Sequence, residues 1–207
     1  MQKILITYYS ESGSTKEIAE IMSNTITNYD VDLLEVGKVQ HLHYDGIIIG
    51  TPNMYGKPAP EIIRFLKQNN DRLATKSIHL FFTCMACYLD NEMESHQLGI
   101  YTDSNIPKNI YVLERMNSWK QSHAVSTYLR NLNTIAPKLT IASIAFFKGR
   151  LRFRSLSFIN SLIMRMICLM NRNIEQGDFY KPQDVKIWIR QKDFFCRIYH
   201  KKELPRL

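Results

Sequence analysis

The sequence predicts an α/β fold, a five-stranded parallel sheet of order 2-1-3-4-5 with helices on both faces. Two observations carry this. Short apolar runs alternate with stretches of helical periodicity, which is the pattern of parallel strands joined by crossover helices. The run Gly46-Ile47-Ile48-Ile49-Gly50 is apolar at successive positions, as a strand covered on both faces must be. The chain has 207 residues, of which 45% are apolar, enough for a sizeable core without disulfides or metal.

The elements follow in order. Lys3–Tyr9 reads as the first strand. Thr15–Thr27 follows as a helix with Ile18, Ala19, Met22 and Ile26 at helical spacing. Val31–Val36 and Tyr44–Gly50 read as the second and third strands, and Pro58–Leu66 as a helix with prolines in or before its first turn. Ser77–Thr83 is the fourth strand, Leu139–Phe147 the fifth, and a last helix begins at Pro182. Residues 89–121 are polar and irregular, and loops of that length inside a domain are usually functional or disordered. The expectation is one domain over 1–207, with an insertion at 89–121 and a basic apolar segment at 148–172.

Charge divides the chain. Residues 1–147 carry 13 Lys/Arg against 14 Asp/Glu, whereas residues 148–207 carry 14 against 5. So basic a C-terminal part points to an anionic partner such as lipid headgroups, an acidic protein, nucleic acid or a polyanionic substrate. Cys84, Cys87, Cys168 and Cys196 are too few and too scattered for a disulfide framework, so a reducing compartment is expected. The N-terminus enters a strand at once, so no secretory signal is expected.

The chemistry concentrates after the first strand, at Ser10-Glu11-Ser12-Gly13-Ser14-Thr15. A tight turn running into a helix start converges backbone N–H groups and the positive end of the helix dipole on one point. Gly13 permits a backbone conformation other residues resist. The loop holds no lysine, so neutral hydroxyl donors are expected to bind a monophosphate without a counter-charge. The same residues also suit a plain helix cap.

This loop resembles the flavodoxin family, whose FMN-phosphate loop follows Ser/Thr-x-Ser/Thr-Gly-x-Thr. Here Ser10, Ser12, Gly13 and Thr15 match. The resemblance implies FMN as cofactor. Gly50-Thr51-Pro52-Asn53-Met54-Tyr55-Gly56-Lys57-Pro58-Ala59-Pro60 is similar to the Pro-x-x-Tyr-Gly-x-x-x-Pro elements of flavodoxin-like quinone and flavin reductases. By that likeness Tyr55 stacks on or flanks the flavin ring, and Thr51, Pro52, Asn53, Met54 and Gly56 lie nearby; a packed surface aromatic is the other reading of Tyr55. Ligands in open α/β sheets sit beyond the carboxyl ends of strands, so Thr83, Cys84, Met85 and Tyr88 are expected to line the same crevice. Cys84 and Cys87 allow a redox or zinc reading, against which stand the lack of a second cysteine pair and of a helix start. The histidines at 41, 43, 79, 96, 123 and 200 complete no metal pattern.

Gly149-Arg150-Leu151-Arg152-Phe153, Ile163-Met164-Arg165-Met166-Ile167 and Tyr180 resemble the quinone-dependent protoporphyrinogen dehydrogenases of the HemG type. Two departures stand out: Phe153 replaces the family's tyrosine, and residues 89–121 are longer than its counterpart. The resemblance implies an FMN-dependent oxidoreductase with a porphyrinogen or quinone as small-molecule substrate. A flavodoxin-type electron carrier and a general FMN-dependent quinone reductase are the alternatives. Residues 148–172 are too short and interrupted to span a bilayer. Arg150, Arg152 and Arg154 are expected either on anionic headgroups at the inner face of the membrane or on the rim of a helix packed on the sheet. No nucleic-acid partner is expected, and the protein is expected in the cytoplasm.

Overall fold

The computed structural model describes residues 2–54, 56–93, 99–151, 162, 165–166 and 177–191. In chain order the elements are β1 (Lys3–Tyr8), α1 (Ser14–Thr25), β2 (Asp30–Glu35), β3 (Gly46–Met54), β4 (Lys57–Pro58), α2 (Pro60–Gln68), α3 (Asn70–Leu73), β5 (Ser77–Cys84), β6 (Leu89–Asp90), β7 (Gly99–Thr102), β8 (Ile110–Tyr111), α4 (Ser118–Ser122), α5 (Val125–Ile135), β9 (Ile141–Lys148), β10 (Arg150–Leu151), β11 (Gly177–Asp178) and α6 (Pro182–Arg190). The sheet runs β2-β1-β3-β5-β9-β7, and these strands are all parallel to their neighbours. The five strands expected from the sequence stand in the expected order.

Alternation along the strands builds two cores. Leu5, Ile47, Ile49, Leu80, Phe82, Ile144 and Phe146 face one side, against Ile62, Phe65 and Leu66 of α2 and Tyr128, Leu129 and Leu132 of α5. Ile4, Ile6, Ile48, Phe81, Ala145 and Phe147 face the other, against Ile18, Ala19 and Met22 of α1 and Val185, Trp188 and Ile189 of α6. Successive side chains of a strand point to opposite faces, so a strand apolar at every position must be covered twice. Gly50 serves this packing: a Cβ there would lie 2.2 Å from the Phe81 ring, which crosses the strand at that point.

The structure corrects the sequence reading in two places. The third strand does not end at Gly50 but continues through Met54, and Lys57–Pro58 turns back on it as β4 instead of opening the helix. Thr51 explains the late start of α2: its buried hydroxyl accepts the Ala59 N–H at 2.9 Å and donates to the Pro52 carbonyl. The segment 89–121 is also not irregular throughout. It supplies β7, a sixth parallel strand at the sheet edge, together with β6, β8 and α4. Buried carboxylates fasten it. Asp103 accepts the N–H groups of Lys148 and Asn105, and Asp184 of α6 accepts both the N–H and the hydroxyl of Ser104. The ordered strand is the short run Gly99–Thr102 within a polar stretch: Ile100 and Tyr101 pack on the two cores, and the carboxylates of Asp103 and Asp184 tie the turn after it to β9 and α6.

Among the described residues no helix is long and apolar enough to cross a membrane. Of the basic apolar segment, only 148–151, 162, 165 and 166 are described. Leu162 and Met166 there are each 56% exposed.

Candidate functional site

The carboxyl ends of β1, β3, β5 and β9 carry the loops in question. β1 delivers Ser10–Thr15, and α1 begins at Ser14 with Gly13 as its cap residue at φ 90°. That left-handed conformation costs any L-residue with a side chain about 1–2 kcal/mol, which accounts for glycine at this point. No side chain caps the helix, so the first-turn N–H groups have no acceptor within it. The serine hydroxyls turn toward the loop. Ser10 Oγ accepts the Gly13 N–H at 3.1 Å, and the Ser12 and Ser14 oxygens lie 3.5 Å apart. Glu11 is half-buried in the same turn.

Thr15 and Thr83 meet beneath the loop. Their hydroxyls are hydrogen-bonded at 2.8 Å, both residues are buried, and the contact joins β5 to the start of α1. Gly149 closes this side, with a virtual Cβ 3.5 Å from Ser14 Oγ and 3.6 Å from Thr83 Cβ, while its N–H donates to the Cys84 carbonyl. The donors and the glycine turn fit an anionic group the size of a phosphate.

Sequence reasoning expected no counter-charge here; the structure has an arginine beside the loop, paired with two carboxylates. Arg150, in β10, lies beside the loop: its Nη1 sits 3.2 Å from the position a Cβ on Gly13 would take. The guanidinium bonds both Glu17 carboxylate oxygens at 2.7 Å, and its Nε donates to Asp178. The Tyr180 hydroxyl donates to the same Glu17 carboxylate. Burial raises the Glu17 carboxyl, but the hydrogen bonds from Arg150 and Tyr180 outweigh it and hold its pKa below the ordinary value. Tyr180 is pushed up to about 12 by burial and by the Glu17 carboxylate. Of the three arginines expected on an anionic surface, Arg150 is therefore committed to two carboxylates, with its side chain only 14% exposed. Arg152 and Arg154 lie outside the described residues. The alternating Arg/apolar pattern had no local signal for Arg150's position, because its partner Glu17 is 133 residues away.

On the other side, the end of β3 and β4 form a hairpin. The Asn53 side chain accepts the Gly56 N–H at 2.8 Å. Gly56 has φ 80°, and a Cβ there would come within 2.2 Å of the Ser122 carbonyl of α4. Asn131 of α5 donates to the Gly56 carbonyl at 2.7 Å. Pro52, Asn53 and Met54 are half-buried along this edge, whereas Thr51 is fully buried and bonded inward, away from any ligand. Tyr55 lies outside the described residues.

After β5, Met85 is half-buried, and Cys84 and Cys87 are both buried free thiols. Burial, reinforced by a hydrogen bond with Cys84, pushes the Cys87 thiol well up, which makes it a packed side chain and not a nucleophile. Tyr88 turns toward the insertion and joins an aromatic group that the sequence had not suggested. Its ring lies 5.6 Å from Tyr111 and 6.0 Å from Trp119, edge-on to each, and Lys120 Nζ lies over both tyrosine rings. Trp119, Ile110 and Val112 are exposed. A separate cleft of about 420 Å³, between the insertion and α5, is lined by Glu92, Glu114, Gln121 and Arg130 and touches none of Ser10–Thr15.

No curated protein matches the chain. Solved structures similar to it include a flavoprotein in complex with FMN from Lactobacillus acidophilus NCFM, 20% identical, covering 70% of this chain and 93% of that one at a TM-score of 0.43. A Fusobacterium nucleatum flavodoxin bound to flavin mononucleotide is 15% identical over 92% of this chain and 96% of that one, TM-score 0.42. Oxidised Flavodoxin 1 from Bacillus cereus is 16% identical over 82% and 99%, TM-score 0.43. The flavodoxin domain family matches residues 5–178, so the chain belongs to that family.

Proposed function

We propose that the protein binds FMN with its phosphate in the loop Ser10–Thr15 and acts as a flavodoxin-type electron-transfer protein. The observation that carries this is the left-handed Gly13 turn at the uncapped start of α1, with the Thr15–Thr83 hydroxyl pair beneath it, in a chain of the flavodoxin domain family. When bound, FMN supplies the one- and two-electron chemistry. The chain's own residues hold it: Ser10, Ser12, Ser14 and Thr15 offer hydroxyls, the first turn of α1 offers N–H groups, and Asn53, Met54 and Gly56 with Met85 border the space for the ring.

A second reading, an FMN-dependent oxidoreductase with its own small-molecule substrate, is favoured by the insertion. Through the Gly56–Ser122 contact, α4 leans on the hairpin beside the ring space, and the exposed Trp119 extends from it with Tyr88 and Tyr111. An aromatic surface there suits a flat apolar substrate such as a quinone or porphyrinogen. The more specific protoporphyrinogen dehydrogenase reading, with a quinone acceptor at the membrane, rests on the resemblance at Gly149–Phe153 and Ile163–Ile167, of which 152, 153, 163, 164 and 167 lie outside the described residues.

The test is flavin titration of the apoprotein followed by turnover assays. FMN should bind, and Ser12→Ala with Thr15→Ala should weaken it about a hundredfold or more, since each lost hydrogen bond to a charged group is worth about 1.5–3 kcal/mol. Affinity unchanged in the double variant overturns the phosphate-loop assignment. Fast electron exchange with redox proteins, without turnover of protoporphyrinogen IX or a menaquinone analogue, is the result the carrier reading requires; sustained turnover of either compound replaces it with the enzyme reading.

A further inference from the structure

Glu17 makes the loop an unfavourable place for a phosphate. Its carboxylate Oε1 lies 3.9 Å from the position of a Cβ on Gly13, in the first turn of the helix whose start would hold the anion. Asp178 adds a second carboxylate through Arg150. A dianion brought here without a cation would face these two carboxylates, with Glu11 of the same turn a third, and solvent screens them only in part. Arg150 pairs with both carboxylates, so what it can add for an anion is a directed N–H donor and not a spare charge. β9 leads through Gly149, pinned by its N–H to Cys84 and by its carbonyl to the Phe179 N–H, and the Arg150–Asp178 pairing of β10 with β11 sets the side chain's origin. The fork then closes on Glu17 through two parallel bonds of 2.7 Å.

A guanidinium carries five N–H donors. The bonds to Glu17 and Asp178 use three among the described residues, which leaves one hydrogen on each Nη, and Nη1 is the nitrogen against Gly13. We propose that Arg150 is a phosphate-recognition residue of this chain: it neutralises Glu17 and turns its remaining Nη1 donor to the phosphate of the bound flavin, so that the site selects the phosphorylated cofactor over riboflavin. This rests on the FMN reading above. It departs from a loop that holds its phosphate with neutral donors alone, and it assigns Arg150 to the cofactor and not to a lipid surface.

Titration of the apoprotein with FMN and, separately, riboflavin, followed by quenching of flavin fluorescence, tests it. Arg150→Met should weaken FMN by about tenfold or more and leave riboflavin unchanged. Arg150→Lys, which keeps the charge and loses the fork, should fall between. Glu17→Gln removes the repelling charge and keeps one of the two acceptors, so the amide oxygen and Asp178 still hold Arg150 and FMN should tighten; a purely structural clasp would instead weaken both flavins. Equal loss of FMN and riboflavin in Arg150→Met or Arg150→Lys, or no change in either, overturns the proposal, as does weaker FMN binding in Glu17→Gln. A wild-type protein that binds neither flavin overturns the FMN reading itself and this inference with it. One that binds both equally well leaves the flavin reading standing and removes the phosphate selectivity.

Discussion

In the candidate site, Ser10–Thr15 is a run of six consecutive residues, whereas the hairpin of β3 and β4, with α4 and Asn131 of α5, draws on positions from 53 to 131. In the first, a positive-φ glycine and a helix start set the loop's own donors from local sequence, while Thr83, Gly149 and Arg150 reach it from elsewhere in the chain. In the second, no local signal places the hairpin. It is held by Gly56 against the Ser122 carbonyl and by Asn131 reaching back to the Gly56 carbonyl. The helix that bears Ser122 leads into α5, whose Ser126 N–H is taken by the buried carboxylate of Asp90. The loop's backbone turn depends only on its own residues, whereas the hairpin is held in place only as long as its contacts with α4 and α5 hold.

The largest expected effect breaks the assembled hairpin. Gly56→Val places a branched side chain at φ 80° and 2.2 Å from a backbone carbonyl that cannot rotate away. Strain and overlap together should cost about 3 kcal/mol or more in urea unfolding. A loss under about 1 kcal/mol would mean that the hairpin and α4 are not in contact as described.

Gly13→Ala should cost less, about 1–2 kcal/mol, because φ 90° is as adverse but the nearest neighbour is the end of the Arg150 side chain, at 3.2 Å, which can shift. The two glycines share a backbone conformation and differ in what a Cβ meets. If thermal or urea unfolding finds Gly13→Ala the more damaging substitution, the ranking of local over assembled geometry reverses.

The smallest effect is one of pH. Glu17 is held below its ordinary pKa of 4.5 in the folded protein, so its contribution to stability is fully present above 4.5 and is lost as pH falls through the lowered folded value. The groups facing it are Arg150, Tyr180 and Asp178. Asp103 acts in the opposite direction, since burial raises its carboxyl and its contribution is lost as pH rises through the folded value. The difference between wild type and Glu17→Gln isolates Glu17. Stability should fall more steeply in the wild type than in the variant below pH 4.5, and by only about 0.5 kcal/mol, because the side chain is 35% exposed and solvent screens it. Identical acid limbs for the two proteins would show that the Arg150–Glu17 pair contributes nothing to folding.

Five parallel strands, the helices between them and the loop Ser10–Thr15 were legible from the chain, because they depend on periodicities of two and of 3.6 residues and on one glycine turn, whereas the order 2-1-3-4-5 was a fold-level expectation that the sheet bears out. Cys84 and Cys87, which left a redox or zinc reading open in the sequence, are buried free thiols in the structure. Three features needed contacts across the fold. β7 pairs with β9 and packs Ile100 and Tyr101 on the two cores, while Asp103 and Asp184 tie the turn that follows it to β9 and α6. Thr51 was withdrawn from the ligand side because α2 needed its hydroxyl. Arg150 came to Gly13 because an ion pair couples residues whose distance along the chain carries no information about their distance in space.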